Sequence, residues 1–340
     1  MTTLVPPHAA PARGVTLDDV ARLAKVSPIT VSRVLNYPDK VSAKTAKRVR
    51  TAIAKTGYVP NLLAGSLVSR RSRLVVVVIP SLANRAFVET VRQLALVLGE
   101  AGYQLMMCQI EGGAKTEAQL LDGILARRPD GLVLTTALRT DAARQRLLGL
   151  SLPVVETWEL PAEPIDCVVG LSHFDAGAAM AGYLLGKGHR RFALLCSSDA
   201  RAAQRVLGCE QAVQRCGGEI VARFQAASPV SVADGRNALA GLLACGKPFD
   251  AVICTIDLLA QGALYEAQAR GLRVPGDFAL LGFGDLDFAA QMYPALSSVS
   301  VDAGKIGQLA ATILLQRFEG AARGSCIEDV GYTIVGRASA

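Results

Sequence analysis

The chain has one tryptophan, three histidines and an aromatic share of 5%, so few of its side chains suit catalysis or ring stacking. It contains no G-x-x-x-x-G-K-[ST] phosphate loop and no G-x-S-x-G nucleophile elbow. The GFGDLD stretch lacks the third glycine of a dinucleotide fingerprint, and its two carboxylates at i, i+2 make a poor metal site. His8, His173 and His189 stand apart from any partner in sequence, and each reads as structural or solvated rather than as a general base. The eight cysteines form no C-x-x-C pair and none sits at metal-ligand spacing from a histidine. They read as free thiols, mostly buried in apolar runs such as FALLCS and AVICT, in a reducing compartment. No apolar run approaches the roughly 18 residues of a membrane span, and MTTLVPPHAAPARG lacks the basic-then-apolar order of an export signal. These absences argue against an enzyme, a cofactor, a metal centre or a membrane protein. The expectation is a cytoplasmic chain whose residues 1–13 are a disordered lead-in.

The chain is rich in apolar residues, 51% over 340 positions, enough for more than one domain core. Its charge is uneven. Residues 1–73 hold 13 Lys and Arg against three Asp, a net of +10, so the remainder of this +7 chain carries −3. A basic module on a mildly acidic body predicts a polyanionic partner for the module alone, with nucleic acid the leading candidate.

That module reads as three short helices. Thr16 is placed to cap the first, with Asp18 and Asp19 in its first turn and Leu17, Val20, Leu23 and Ala24 along one face. After Lys25-Val26-Ser27, Ser27 caps a second helix with Pro28 at its first position, and Val31, Val34 and Leu35 turn inward. A third starts at Ser42, runs through Ala46, Val49 and Ile53, and stops at Gly57, with Lys44, Lys47, Arg48, Arg50 and Lys55 on its solvent side. Two helices across a three-residue turn, with a third packed over them, form a helix-turn-helix whose second helix enters a major groove. Its readers are Pro28, Ile29, Thr30, Ser32 and Arg33, with Ser27 as a phosphate donor; Arg33 suits guanine or phosphate, and Ile29 a thymine methyl. A plain basic three-helix bundle is the competing reading.

From Leu74 onward near-continuous apolar strands alternate with helices, among them LVVVVI (74–79), GLVLTT (131–136), FALLCS (192–197), AVICTI (251–256) and FALLGF (278–283). This pattern predicts parallel sheets covered on both faces, and the number of units suggests two lobes.

The series V-T-L-D-D-V-A-R-L-A-x-V-S-x-x-T-V-S-R-V-L-N, then V-S-x-x-T, then G-Y-x-P-N, runs without a gap from Val15 to Asn61 and resembles the DNA-binding module of the lac repressor family. The body is similar to the periplasmic-binding-protein-like core of that family in PSLANRAFVETVRQ, RRPDGLVLT, PVVETW, GKGHRRFALL, GLRVPGDFALLGF and LSSVSVDAGKIG. The fold class implied is an all-α helix-turn-helix domain (14–60), a hinge helix or linker (61–72) and an α/β two-lobed core (73–340). Lobe 1 is expected at about 73–171 and 302–327, and lobe 2 at about 172–301 and 328–340. The resemblance adds Thr16, Asn36 and Asn61 to the DNA contacts. It also makes 61–69 a hinge helix that forms on DNA, with Ala64 on the minor-groove floor and Leu67 as a wedge between base pairs, which kinks the duplex; an inert linker is the alternative. Arg70, Arg71 and Arg73 then hold adjacent phosphates.

The resemblance further implies an effector between the lobes, at the carboxyl ends of the strands. Candidate contacts are Asn84, Phe87, Glu156, Thr157 and Trp158 from the first lobe, and Arg205, Asp257, Phe283 and Asp285 from the second. Many relatives have Asn-Asp where this chain has Ile256-Asp257, and an aspartate after the aromatic where it has Gly284 and then Asp285. A less acidic cleft would suit an anionic ligand such as a sugar acid, and PSLANRAF and PVVETW look most like the gluconate and ketogluconate repressors of the family. A neutral sugar or a purine-type corepressor remains the alternative. The expected assembly is a homodimer on a near-palindromic operator, without a coiled-coil tail. A free transport receptor is the nearest rival of another class, but it would need an export signal and no helix-turn-helix.

Overall fold

The computed structural model describes residues 15–59, 71–81, 86–110, 114–321, 324 and 326–340. The division into two units falls between Ser72 and Arg73.

In the N-terminal unit, α1 (Leu17–Ala24), α2 (Pro28–Asn36) and α3 (Ala43–Thr56) start and stop where the sequence signals lie. Thr16 and Asp19 close a reciprocal capping box, Ser27 and Ser42 cap the next two helices, and left-handed residues, Lys25 at φ 52° and Gly57 at φ 64°, end α1 and α3. Val20, Ala24, Val31, Val34, Ala46 and Val49 are buried together as its core. Arg48 of α3 donates Nη2 to the carbonyls of Ala24 and Lys25, so this arginine closes the end of α1.

The larger unit is built from two sheets of the same winding. The first comprises β1 (Leu74–Ile79), β2 (Gln104–Gln109), β3 (Gly131–Leu134), β4 (Val154–Thr157), β5 (Cys167–Gly170) and β11 (Cys326–Asp329), in the order β11-β5-β4-β3-β1-β2 and parallel throughout. Its helices are α4 (Ala86–Glu100), α5 (Ala114–Leu125), α6 (Asp141–Leu148) and the returning α11 (Ala303–Phe318). The second comprises β6 (Arg191–Ser197), β7 (Glu219–Ala226), β8 (Ala251–Cys254), β9 (Ala279–Phe283), β10 (Ser297–Ser300) and β12 (Thr333–Val335), ordered β12-β10-β9-β8-β6-β7. Only the last pairing, β10 with β12, is antiparallel. Its helices are α7 (His173–Gly186), α8 (Ala200–Arg215), α9 (Val232–Ala244) and α10 (Asp257–Ala269).

Hydrophobic pattern explains the sheets. Val75–Val78 and Ala251–Cys254 are buried on both faces, as parallel strands between helix layers must be. Edge strand β7 alternates half-buried and exposed residues around a single buried one, Val221, which is why EIVARFQA does not stand out as an apolar run. Helices α7 and α8 approach so closely that a Cβ on Gly177 would overlap the Arg205 carbonyl, and one on Gly208 the Phe174 carbonyl. The chain passes between the lobes after β5, after β10 and after β11. The third passage falls at 330–332, because β11 pairs with β5 as far as Asp329, rather than at 327 as the sequence reading put it.

Among the described residues no helix is long and apolar enough to cross a membrane, and no group of three His, Cys, Asp or Glu could hold a metal ion. The eight cysteines are free; Cys167, Cys196, Cys209 and Cys254 are buried, whereas Cys216 and Cys245 are exposed, outside the apolar strands.

Candidate functional site

The start of α2 forms the exposed face of the N-terminal unit. Pro28, Ile29 and Arg33 are exposed, Ile29 at 65%, as apolar and cationic readers of a groove must be. Ser27 Oγ accepts the Thr30 N–H at 3.2 Å and shares a hydrogen bond with Thr30 Oγ1 at 2.9 Å, which uses one of the two hydroxyl protons and leaves the other for an outside acceptor. Ser32 is half-buried beside them, and Asn36 closes the helix. Thr16 takes a different part. Its N–H and hydroxyl both point to Asp19 Oδ2, at 3.0 and 2.7 Å, so its donors serve the helix cap and none remains for a phosphate. Asn61, Ala64, Leu67 and Arg70 lie outside the described residues, as do residues 1–13. Arg73 is taken by the core: its N–H binds Asp130, Nη1 donates to the Ala101 carbonyl, and its guanidinium covers the Tyr103 ring. These contacts anchor the start of β1.

Between the lobes lies a cavity of about 890 Å³. Its walls come from Val88 and Glu89 of α4, Trp158 after β4, the 284–287 turn after β9, and the passages at 300–304 and 330–333. Trp158 and Asp285 therefore face it, as expected from their strand-end positions. Among the described residues four carboxylates line it (Glu89, Asp285, Asp287 and Asp302) and no lysine or arginine does, which corrects the expectation of a less acidic cleft. The balancing cations stand behind the wall: Arg92 beside Glu89, whose carboxyl it holds down at about 2, and Arg337 at 2.7 Å from Asp285.

Arg205 is joined to one cavity residue, Trp158, through His173. It is buried, its guanidinium covers the Phe283 ring at 4.1 Å, and Nη1 stands 2.8 Å from His173 Nδ1. Because arginine only donates, His173 Nδ1 accepts, and Nε2–H then donates to the Trp158 carbonyl at 2.9 Å. Burial first, then the charge of Arg205, pulls His173 down to about 2, so it stays neutral in this relay. Burial also lowers Arg205 to about 10, still charged at neutral pH. Trp158 is pinned by both backbone groups, its N–H on the Val169 carbonyl at 2.9 Å, in a left-handed conformation with φ 73°, unusual for a bulky residue. Phe87 packs edge-on against it at 5.4 Å. Two buried donors in this cluster, Arg205 Nε and Trp158 Nε1, have no hydrogen-bond partner among the described residues.

Three candidates are placed elsewhere in role. Glu156 turns to the α6 side of its sheet, where Oε2 accepts the Ile165 N–H at 2.7 Å and Arg144 stands at 3.8 Å; it does not line the cavity, and burial pushes its carboxyl up. The neighbouring Thr157 is buried and donates to the Leu134 carbonyl. Asp257 is fully buried and shapes the wall from behind. Its Oδ1 takes the Ser298 hydroxyl at 2.6 Å, and Oδ2 takes the Leu286 N–H at 2.8 Å. Asn84 lies outside the described residues. Sequence reasoning missed His173 as a link, and missed Arg201, whose one signal is its place four residues before Arg205 on the same helix face.

A basic helix-turn-helix unit joined to a two-lobed parallel α/β core with an interlobe cavity defines a ligand-responsive transcriptional regulator. Residues 16–61 match the family described as bacterial regulatory proteins, lacI family, and residues 181–340 a periplasmic binding protein-like domain. The chain is 37% identical over 327 residues, 95% of each chain, to the HTH-type transcriptional regulator GntR of Pseudomonas aeruginosa. It belongs to the lacI family of DNA-binding regulators and is not an enzyme. Among solved structures, it is similar to a LacI family transcriptional regulator from Silicibacter pomeroyi (TM-score 0.89, 32% identity, 96% of this chain and 99% of that one). The lac repressor dimer bound to operator and the anti-inducer ONPF follows at TM-score 0.85 and 27% identity, over 96% and 99% of the two chains.

Proposed function

We propose that the chain is a cytoplasmic, homodimeric repressor that reads a near-palindromic operator through Ser27, Pro28, Ile29, Thr30, Ser32, Arg33 and Asn36, and releases or tightens on it in response to a sugar acid. Asn61, Ala64 and Leu67 belong to the same proposal as hinge contacts in the minor groove. The dimer on DNA rests on the likeness to the lac repressor structure and on the two-fold symmetry that paired half-sites require.

The observation that carries the ligand class is Arg205 Nε, a buried cationic donor without a partner among the described residues; the indole N–H of Trp158, to which His173 links it, is likewise without one there. Buried donors of this kind call for an acceptor, and a carboxylate matches a guanidinium best. The carboxylates of the cavity wall accept from hydroxyls, so a polyhydroxy acid meets both ends of the site. Phe87, Trp158, Phe283 and Asp285 supply shape and the polyol contacts. The acidic wall by itself favours a second reading, a neutral sugar held by Asp285, Asp287 and Asp302. Calorimetric titration with gluconate, 2-ketogluconate, 6-phosphogluconate and glucose separates the two. Heat from an acid and none from glucose supports the first reading; silence with all three acids sinks it. Operator retention on a filter with and without the bound acid then gives the sign of the response.

A further inference from the structure

Besides the hydrogen bond from His173 to the Trp158 carbonyl, the two lobes are tied by an arginine that the effector reading does not use. Arg201 belongs to the first turn of α8 in the second lobe, yet its hydrogen bonds and its ring contact are with the first lobe. Nε donates to Glu159 Oε1 at 2.7 Å, Nη2 reaches the carbonyls of Thr135 and Thr157 at the ends of β3 and β4, and the guanidinium lies over the Phe87 ring at 5.3 Å. The side chains of Arg201 and Glu159 are only 13% and 32% exposed. Gly170 makes room for the partner, since a Cβ there would overlap the Glu159 backbone.

A planar fork satisfied at once by a carboxylate and two strand-end carbonyls holds only while the start of α8 lies against the ends of β3 and β4. Any hinge opening at the three passages breaks all of these contacts together, which makes the arrangement two-state rather than gradual. We propose that Arg201 and Glu159 form an interlobe clasp that holds the cleft closed in the ligand-free protein. Effector entry then has to release the clasp, and the clasp sets how much of the protein is open to receive it. The proposal stands whether the effector is a sugar acid or a neutral sugar.

The test needs no ligand. Trp158 is the chain's one tryptophan, precedes Glu159, packs against the Phe87 ring that Arg201 covers, and is 5% exposed. Its emission in the full-length protein therefore reports on the clasp. Glu159→Gln, nearly isosteric, and Arg201→Met should each move the closed-to-open ratio about tenfold towards open. The readouts are red-shifted emission, several-fold stronger quenching by acrylamide and a larger radius of gyration in X-ray scattering, with far-UV circular dichroism unchanged. The double variant should be no more quenchable than the stronger single, because both changes remove one interaction. Arg201→Lys keeps the charge but loses the fork, and should fall between wild type and Arg201→Met. Quenching and scattering that stay at wild-type values in both singles overturn the clasp, as do single effects that add in the double variant.

Discussion

The substitution Asp257→Asn tests whether the wall of the cavity carries a strained charge. Asp257 is fully buried, and burial is the first cause of a carboxyl pushed from the ordinary 3.8 to about 6 against the opposing Ser298 and Leu286 hydrogen bonds. The sign follows from linkage. In the unfolded chain the group loses its proton near pH 4, in the folded one near pH 6, so ionisation destabilises the fold above pH 6 and costs nothing below pH 4. The difference, about two pH units at roughly 1.4 kcal/mol each, makes the charge worth about 3 kcal/mol of lost stability at neutral pH. The replacement amide is neutral at every pH; its oxygen keeps the Leu286 N–H, and Ser298 rotates to accept. Urea unfolding of both proteins, followed by Trp158 emission as a probe of the core alone, should give a stability difference that shifts by about 3 kcal/mol in favour of wild type as pH falls from 7 to 4. Other carboxylates contribute equally to both proteins and cancel. A difference that stays flat from pH 4 to 7 refutes the reasoning, as does one that moves in the variant's favour on acidification.

Single contacts elsewhere give smaller tests. Arg205→Lys removes the fork that binds His173 and leaves its charge; affinity for the effector should drop about a hundredfold by calorimetry, with operator affinity of the ligand-free protein within about twofold. Thr16→Ala opens the capping box, and thermal unfolding of the N-terminal unit should show a loss of about 1 kcal/mol; the deletion of a phosphate contact would instead lower operator affinity with no change in unfolding. Arg33→Ala should weaken operator binding and flatten the slope of log affinity against log salt by about one, an outcome that gel retardation at several salt concentrations checks. Gly177→Ala drives a methyl into the Arg205 carbonyl across the α7–α8 contact, and should cost at least about 3 kcal/mol in the core, whereas the same change at Gly182, which has open space around it, should stabilise slightly.

How much was legible in the residues differs between the two units. The N-terminal helices were readable to within a residue, because Thr16, Ser27, Ser42 and Gly57 are local signals that act on backbone groups three or four positions away. The alternation of apolar strands and helices likewise announced the parallel core, since burial on both faces demands unbroken apolar runs. Strand β7 and helix α6 escaped, the first because an edge strand alternates, the second because DAARQRLL buries only Ala143 and Leu147.

The site was legible as positions but not as roles. Strand ends put Trp158, Asp257 and Asp285 near one cleft, and that much follows from the order of elements; Arg205, inside helix α8, was singled out only by the family resemblance. Whether a carboxyl faces the cavity, the opposite face of its sheet or a buried serine depends on which elements pack against it. Glu156 meets Arg144 from one helix and Ile165 from a loop, and Asp257 meets Ser298 from a strand 41 positions away. The relay from Arg205 through His173 to Trp158 spans three segments, and the Arg201–Glu159 tie bridges two lobes. Capping, periodicity and charge act over a few residues and are written along the chain. Orientation, burial and pairing arise only when distant segments close on one another, and here that closing turned a histidine with no neighbour in sequence into the link between a buried arginine and the chain's one tryptophan.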